Sequence, residues 1–310
     1  TATGYQSLYT NSGSSNTAHG AYSLYANSTG HSNIAIGYYS LFSNTTGHSN
    51  TAQGYESLKY NTTGVNNTAQ GYYSLAANTT GNNNTAVGYY SLAANTTGHS
   101  NIAIGYYSLY SNTTGIYNTS QGNDSLYYNL TGSYNTATGF ASLQKNLSDY
   151  NTAHGAYSLF SNTTGTANTA QGYQSLKDNT TGTSNTAQGM YSLNANTTGD
   201  ANTSIGYQSL QSNTTGSYNT ATGYQSLYTN SGSYNTAHGY RSLYSNTTGI
   251  NNTATGYESL NKNTTGSYNT AVGYYTLHNN SGSYNTATGY KSLQNNTEGS
   301  NNTAYGGYSL

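Results

Sequence analysis

The sequence contains no cysteine, proline or tryptophan, and only 4% of its residues carry a charge. Without cysteine, neither disulfide bonds nor metal–thiolate sites can hold the chain together. Six basic and seven acidic side chains leave a formal net charge of -1, so no electrostatic field attracts nucleic acid or an anionic membrane. No stretch approaches the roughly 18 apolar residues of a membrane-spanning helix. We therefore expect no nucleic-acid partner and no membrane insertion in this segment.

The chain instead repeats one motif, close to N-T-A-x-G-Y-x-S-L-x-x-N-T-T-G-x-x, about eighteen times. The glycine before Tyr-x-Ser-Leu recurs from Gly4 to Gly306 in 18 intervals, fourteen of 17 residues and four of 16. A short fixed period predicts units that bury their apolar side only against neighbouring units. Polar composition of this kind is also typical of disordered chains, but disorder does not require a leucine in register in all 19 copies, from Leu8 to Leu310.

The period favours an all-β fold, because known helical repeats need about 33 to 47 residues. We predict a parallel β-solenoid, or β-roll, of about 18 coils with 16–17 residues per coil. Residues 1–310 would form a single continuous repeat domain. Because Thr1 and Leu310 both lie inside a repeat, we expect a segment of a longer fibre protein.

Each coil is predicted to contain two short strands and two turns. In the first strand, Asn16–His19, alternation places Ala18 inward and its neighbours outward. In the second, Tyr22–Tyr25, the invariant Leu24 faces inward, while the position of Tyr22 accepts charged residues in other coils and is predicted to face solvent. These two assignments conflict with strict alternation, which predicts a bend or bulge at the Gly-Tyr corner.

Two columns of asparagine are predicted to supply the stabilisation that the small apolar core cannot provide alone. One runs from Asn11 to Asn296 in the Asn-Thr-Thr-Gly turn, whose glycine is able to take a positive φ, and the other runs from Asn16 to Asn302. Both are asparagine in all 18 copies. Stacked about 4.8 Å apart, amides that both donate and accept can satisfy one another from coil to coil.

The turn asparagines also carry a modification motif. In 14 of 18 copies the residue two positions later is Ser or Thr, which marks an acceptor for N-linked glycans in a secreted protein. The alternative is a turn role alone, since Asn11 and Asn230 persist where Asn-Ser-Gly removes the motif. The candidate glycosylation sites are Asn27, Asn44, Asn61, Asn78, Asn95, Asn112, Asn129, Asn146, Asn162, Asn179, Asn196, Asn213, Asn246 and Asn263.

Two segments, Asn33–Gly37 and Asn101–Gly105, both reading Asn-Ile-Ala-Ile-Gly, resemble the core of head repeats in trimeric autotransporter adhesins. The whole repeat is similar to units of bacterial and phage fibre proteins. The resemblance implies a left-handed parallel β-roll, commonly with three chains around an axis, that is displayed at the cell surface or outside the cell for adhesion. Most copies depart from the family in placing Thr and a polar residue where it has Val and Ile.

Little in the sequence points to catalysis, and we expect no enzyme, no catalytic residue, no cofactor and no metal site. The carboxylates are scattered among columns, and the two histidines of one column, His31 and His48, lack a third ligand. The tyrosine columns suit either carbohydrate or protein contact, or ordinary stacking between coils and chains.

Three functions remain open. The first is a structural extracellular fibre or fibre shaft, self-associating and covered by covalent glycans along one asparagine edge. The second is a trimeric adhesin head that binds host, matrix or carbohydrate surfaces. The third is ice binding through regular threonine rows, although Ile34 and Ile102 interrupt the row.

Overall fold

The computed structural model describes residues 1–309, so the inward position predicted for Leu310 lies outside the described residues. The chain forms two compact units, the first comprising Thr1–Thr152 and the second beginning at Ala153. Both are built from the same coil, and each coil contributes one short strand to an all-parallel sheet. The predicted all-β solenoid is confirmed.

The strands are two or three residues long and recur once per repeat. They are β1 (Ala2–Thr3), β2 (Thr17–His19), β3 (Ile34–Ile36), β4 (Thr51–Gln53), β5 (Thr68–Gln70), β6 (Thr85–Val87), β7 (Ile102–Ile104), β8 (Thr119–Gln121), β9 (Thr136–Thr138), β10 (Thr152–His154), β11 (Thr169–Gln171), β12 (Thr186–Gln188), β13 (Thr203–Ile205), β14 (Thr220–Thr222), β15 (Thr236–His238), β16 (Thr253–Thr255), β17 (Thr270–Val272), β18 (Thr286–Thr288) and β19 (Thr303–Tyr305). No helix long and apolar enough to cross a membrane occurs among residues 1–309.

Register is identical from coil to coil. In the first unit β1 to β9 pair in chain order, and in the second β11 to β19 do the same. Ala18 pairs with Ala35, and Ala35 with Ala52, so the alanines form one inward column. These alanines are buried while their strand neighbours are half-buried or exposed, which confirms the predicted first strand.

The predicted second strand is wrong. The backbone from Tyr38 to Phe42 turns instead, with positive φ at Tyr39 (54°) and Leu41 (49°). Its N–H groups still bond between coils: Tyr39 N donates to Ala21 O of the preceding coil, and Leu41 N to Ser57 O of the following coil. Alternate residues thus form backbone hydrogen bonds to neighbouring coils, as a strand would. They do so in a left-handed conformation that costs about 1–2 kcal/mol for a residue other than glycine.

This backbone resolves the conflict over which side chains face inward. Leu41 is fully buried, as predicted, and Tyr39, two residues earlier, is half-buried. The position of Tyr22 was predicted to face solvent, but it is half-buried in most coils. The prediction is wrong for Glu56, the charged residue at this position in another coil, which is only 6% exposed. The alternation rule for strands does not apply where every second φ is positive.

Glycine is required at two positions of each coil, the corner and the turn, for different reasons. Gly71, at the corner, has φ +133°, and a Cβ there would lie 2.3 Å from Gly88 O. The turn glycine Gly47 does not take the positive φ of which glycine is capable. It is glycine because a Cβ would lie 2.4 Å from the Oδ1 of Asn44 and 2.5 Å from Gly64 O. Both positions therefore exclude side chains by close approach of the next coil.

Candidate functional site

The asparagine columns form two continuous side-chain ladders in each unit. In the turn ladder, Asn78 Nδ2 donates to Asn61 Oδ1 at 2.8 Å and to Gly81 O at 3.0 Å, while Asn78 Oδ1 accepts from Asn95 Nδ2 at 2.8 Å. The predicted mutual satisfaction of stacked amides is confirmed. Each turn asparagine closes its own turn and bonds to the coil on either side.

The second ladder binds main chain as well as side chain. Asn84 N and Nδ2 both donate to Asn67 Oδ1, at 3.0 and 3.2 Å, and Nδ2 also donates to Gly98 O at 2.9 Å. Asn84 Oδ1 in turn accepts from Asn101 N at 3.0 Å. Because the side chain is fully buried, none of these groups has water as an alternative partner.

The structure places all fourteen predicted glycosylation sites in the buried turn ladder, each with 0% exposure. At Asn78, for example, both Nδ2 hydrogens are used in bonds to Asn61 Oδ1 and Gly81 O. A glycan is attached through that same nitrogen, so glycosylation and the ladder exclude one another in the folded coil. Glycosylation of this column stays a prediction, and one that requires a coil to give up its ladder bonds.

A second set of asparagines with the same motif is exposed, and our reading of the sequence overlooked it. Asn66, Asn83, Asn251 and Asn301 each precede Asn-Thr, and all four are exposed residues with φ between 55° and 61°. Asparagine tolerates this left-handed conformation better than most residues. The signal was visible as Asn-Asn-Thr directly before the strand. These side chains, unlike those of the ladders, are accessible for modification.

The tyrosines that follow the corner glycine form an exposed stack. The rings of Tyr55, Tyr72, Tyr89 and Tyr106 lie 5.1–5.2 Å apart between centroids, with interplanar angles of 8–13°. Each is 40–48% exposed. The next tyrosines in the chain, among them Tyr73, stack beside them and are half-buried. One face of the first unit therefore presents a regular aromatic surface.

Charged groups are few and paired on this surface. Lys59 Nζ lies 2.8 Å from Glu56 Oε2, and the same carboxylate interacts with the Tyr73 hydroxyl. Burial, and then the hydrogen bond to Glu56, raise the pKa of Tyr73 to about 12. The Tyr73 phenol therefore stays neutral over the physiological range.

The remaining candidate chemistry does not converge. His31 and His48 stack face to face, 4.6 Å between ring centroids, and each Nδ1 lies 3.3 Å from the hydroxyl of the following serine. Among residues 1–309 no group of three or more His, Asp or Glu side chains could hold a metal ion. The threonine row proposed for ice binding is half-buried in most coils, and the outward column beside it mixes Gln, His, Ile, Thr and Val.

Comparison of the chain with protein-family models, with curated proteins and with solved structures finds no match. The resemblance to trimeric autotransporter adhesins thus rests on the repeat motif alone. The candidate functional site is consequently defined by geometry: two buried ladders that hold coils together, and an exposed aromatic face.

Proposed function

We propose that the chain is a structural segment of an extracellular fibre, a shaft whose coils transmit load to one another. The observation that carries this proposal is that every part of the coil is hydrogen-bonded to neighbouring coils. Strand, corner and turn backbones bond to the neighbouring coil, and both asparagine ladders add side-chain bonds in the same direction. A chain whose conserved repeat positions all serve stacking, with variation directed outward, suits a spacer more than a reaction centre.

The distribution of unusual residues supports the same function. Asn123, Phe140 and Met190 replace the tyrosine that follows the corner glycine, and all three are exposed. They lie on different coils and do not gather around a cavity. A binding head would be expected to concentrate its irregular residues in one patch, whereas a shaft tolerates single replacements anywhere along its surface.

The surface chemistry supports a location outside the cell and association with further chains. The exposed tyrosine face carries almost no charge, and large exposed apolar areas are commonly covered by partners. We propose self-association of copies along this face, with glycans, where present, on the exposed asparagines and not on the ladder.

Force spectroscopy on the whole chain tests the shaft proposal. Pulled from its two ends, a load-bearing solenoid should extend in repeated force peaks, each releasing one coil of 17 residues and about 55–60 Å of extended chain. Tyr72→Ser, which alters only the exposed face, should leave the peaks unchanged. Extension without force peaks would contradict the proposal, because it would mean that the ladders do not resist separation of coils.

Surface adhesion is a second candidate, favoured by the regular exposure of the tyrosine stack. Flat arrays of tyrosine rings suit contact with carbohydrate or protein because they combine apolar faces with hydroxyl edges. The test is retention of the whole chain on immobilised glycans and matrix proteins. Retention that is lost in the Tyr72→Ser, Tyr89→Ser double variant would support adhesion, and absence of retention would leave the shaft as the better account.

A further inference from the structure

A third aromatic column follows the buried leucine of each coil, and it is interrupted. On one side of the gap Tyr9, Tyr25 and Phe42 stack at 5.3 and 5.1 Å between ring centroids. On the other side Tyr110 and Tyr127 stack at 5.1 Å. The intervening coils carry Lys59, Ala76 and Ala93 at this position. Two successive coils therefore lack any large side chain in an otherwise filled column.

The missing side chains leave an open cavity of about 210 Å³. Its floor is formed by alanine methyl groups: Ala76 and Ala93 are only 5% and 8% exposed, and Ala77 and Ala94 continue the floor outward. The rings of Tyr73 and Tyr90, stacked 5.0 Å apart and 5° from parallel, line it. We call this cavity the alanine notch.

The two ends of the alanine notch differ in chemistry. At one end lies Tyr110, the first ring of the continuing column, whose centroid is 6.1 Å from that of Tyr90. At the other end lies Tyr60, with Lys59 Nζ 5.0 Å from its ring centroid. The ammonium group is paired with Glu56, so neither end presents an uncompensated charge.

We propose that the alanine notch binds a small neutral aromatic molecule, whose ring takes the place of the missing side chains in the column. Coils are spaced about 4.8 Å apart, so two empty positions accept a ring at the spacing that aromatic pairs prefer. A floor of methyl groups offers no hydrogen bonds to a more polar ligand, and the paired charges offer no attraction to an ion.

The probe is p-cresol, the side-chain analogue of the tyrosines that fill this column elsewhere, added to the whole chain labelled at alanine methyl groups. We expect saturable NMR shifts of the methyl groups of Ala76, Ala77, Ala93 and Ala94, with a Kd of about 1–10 mM for a ligand of so few atoms. Absence of these shifts at saturating p-cresol would overturn the proposal.

Refilling the column gives a specific control. Ala93→Tyr places in the notch a side chain that the same column already carries at Tyr110, and it should weaken p-cresol binding at least tenfold. Gln144→Tyr adds the same side chain to the same column in another coil and should leave binding unchanged. Equal binding by the Ala93→Tyr variant would place the ligand elsewhere and refute the proposal.

A second variant does not depend on Ala93→Tyr folding correctly. Tyr110→Ala removes the ring at one end, and the column already accepts alanine at this position in two coils. Binding should weaken several-fold. Methyl glucoside serves as the competing ligand class. If it shifts the same methyl groups at equal or lower concentration, the notch is a sugar site and the aromatic assignment is wrong.

Discussion

Replacing one asparagine of the second ladder tests whether the ladders hold the coils together. In Asn84→Ala the bond from the main-chain N of residue 84 to Asn67 Oδ1 survives, because it does not involve the side chain of residue 84. The Nδ2 bond to Gly98 O at 2.9 Å and the Oδ1 bond from Asn101 N at 3.0 Å are lost. Gly98 O keeps its bond from Asn95 Nδ2 at 3.0 Å, so the buried N–H of Asn101 is the group left without a partner.

The expected cost follows from this one group. A buried backbone group left unsatisfied costs about 1–3 kcal/mol, so Asn84→Ala should lower the local free energy of unfolding by about that amount. The matched control is Asn66→Ser, an exposed position where neighbouring coils already carry Ser32 and Ser49. A surface change of this kind should stay within about 0.5 kcal/mol.

Native-state hydrogen exchange measures the difference coil by coil, which suits a repeat protein better than a single global transition. The reporter is the Thr85 amide, which donates to Asn101 O at 2.8 Å and keeps that acceptor in the variant. A loss of about 2 kcal/mol corresponds to roughly thirtyfold faster exchange. If exchange at Thr85 in Asn84→Ala stays within about threefold of the Asn66→Ser control, the ladder is not the stabilising element inferred above.

Further predictions concern the core, the corner, alkaline pH and glycans. Leu92→Ala removes a fully buried side chain and should cost about 2–5 kcal/mol in urea unfolding. Gly88→Ala places a Cβ 2.4 Å from Gly105 O at φ +135°, so limited proteolysis should show cleavage near this corner that the unmodified chain resists. The raised pKa of Tyr73, about 12 against 10.0, means that its neutral form is favoured in the folded state. The contribution of the neutral Tyr73 phenol to the stability of the folded state is complete below pH 10 and is lost as pH rises towards 12. An unchanged midpoint of urea unfolding across that pH range would contradict this. In glycopeptide mass spectrometry of folded chain from a glycosylating secretory host, sugar should occur at exposed Asn83 and be absent from ladder Asn78, and the reverse pattern would show that the ladder is dispensable.

The sequence was sufficient for the features that depend on strict repetition. A leucine that never changes, or an alanine that gives way only to the small residues Ser120 and Ser204, is expected to face inward, and both columns do. Asparagine at two fixed positions, with its paired donor and acceptor, predicted ladders that the structure confirms. These inferences needed only the period and the hydrogen-bonding capacity of each residue type.

The errors arose where the backbone leaves the common conformations. Positive φ at residues such as Tyr39 and Leu41 is rare outside glycine and asparagine, so a strand was the natural prediction for the Tyr-x-Ser-Leu stretch. The assignment of the turn asparagines to a solvent edge failed for a related reason. A polar residue in a turn is usually exposed, but here each turn closes over its own asparagine and the next coil covers it.

The alanine notch could not have been predicted from the period, because it arises from a departure from the repeat. Two alanines after the leucine, at Ala76 and Ala93, are visible in the sequence. That they interrupt a stacked aromatic column becomes evident only once Phe42 and Tyr110 are placed on the same line along the coils.

The identity of register from coil to coil has a consequence for how such a chain can change its length. In the turn ladder each coil donates to the preceding coil and accepts from the following one through the same atoms, and the backbone bonds also repeat from coil to coil. A coil inserted or removed whole therefore leaves every remaining bond with an equivalent partner. Duplication or loss of one 17-residue unit of coding sequence would thus be close to neutral for folding, whereas an insertion of a few residues would not. Copy number, rather than residue identity, is then the property of this chain that selection can adjust most freely.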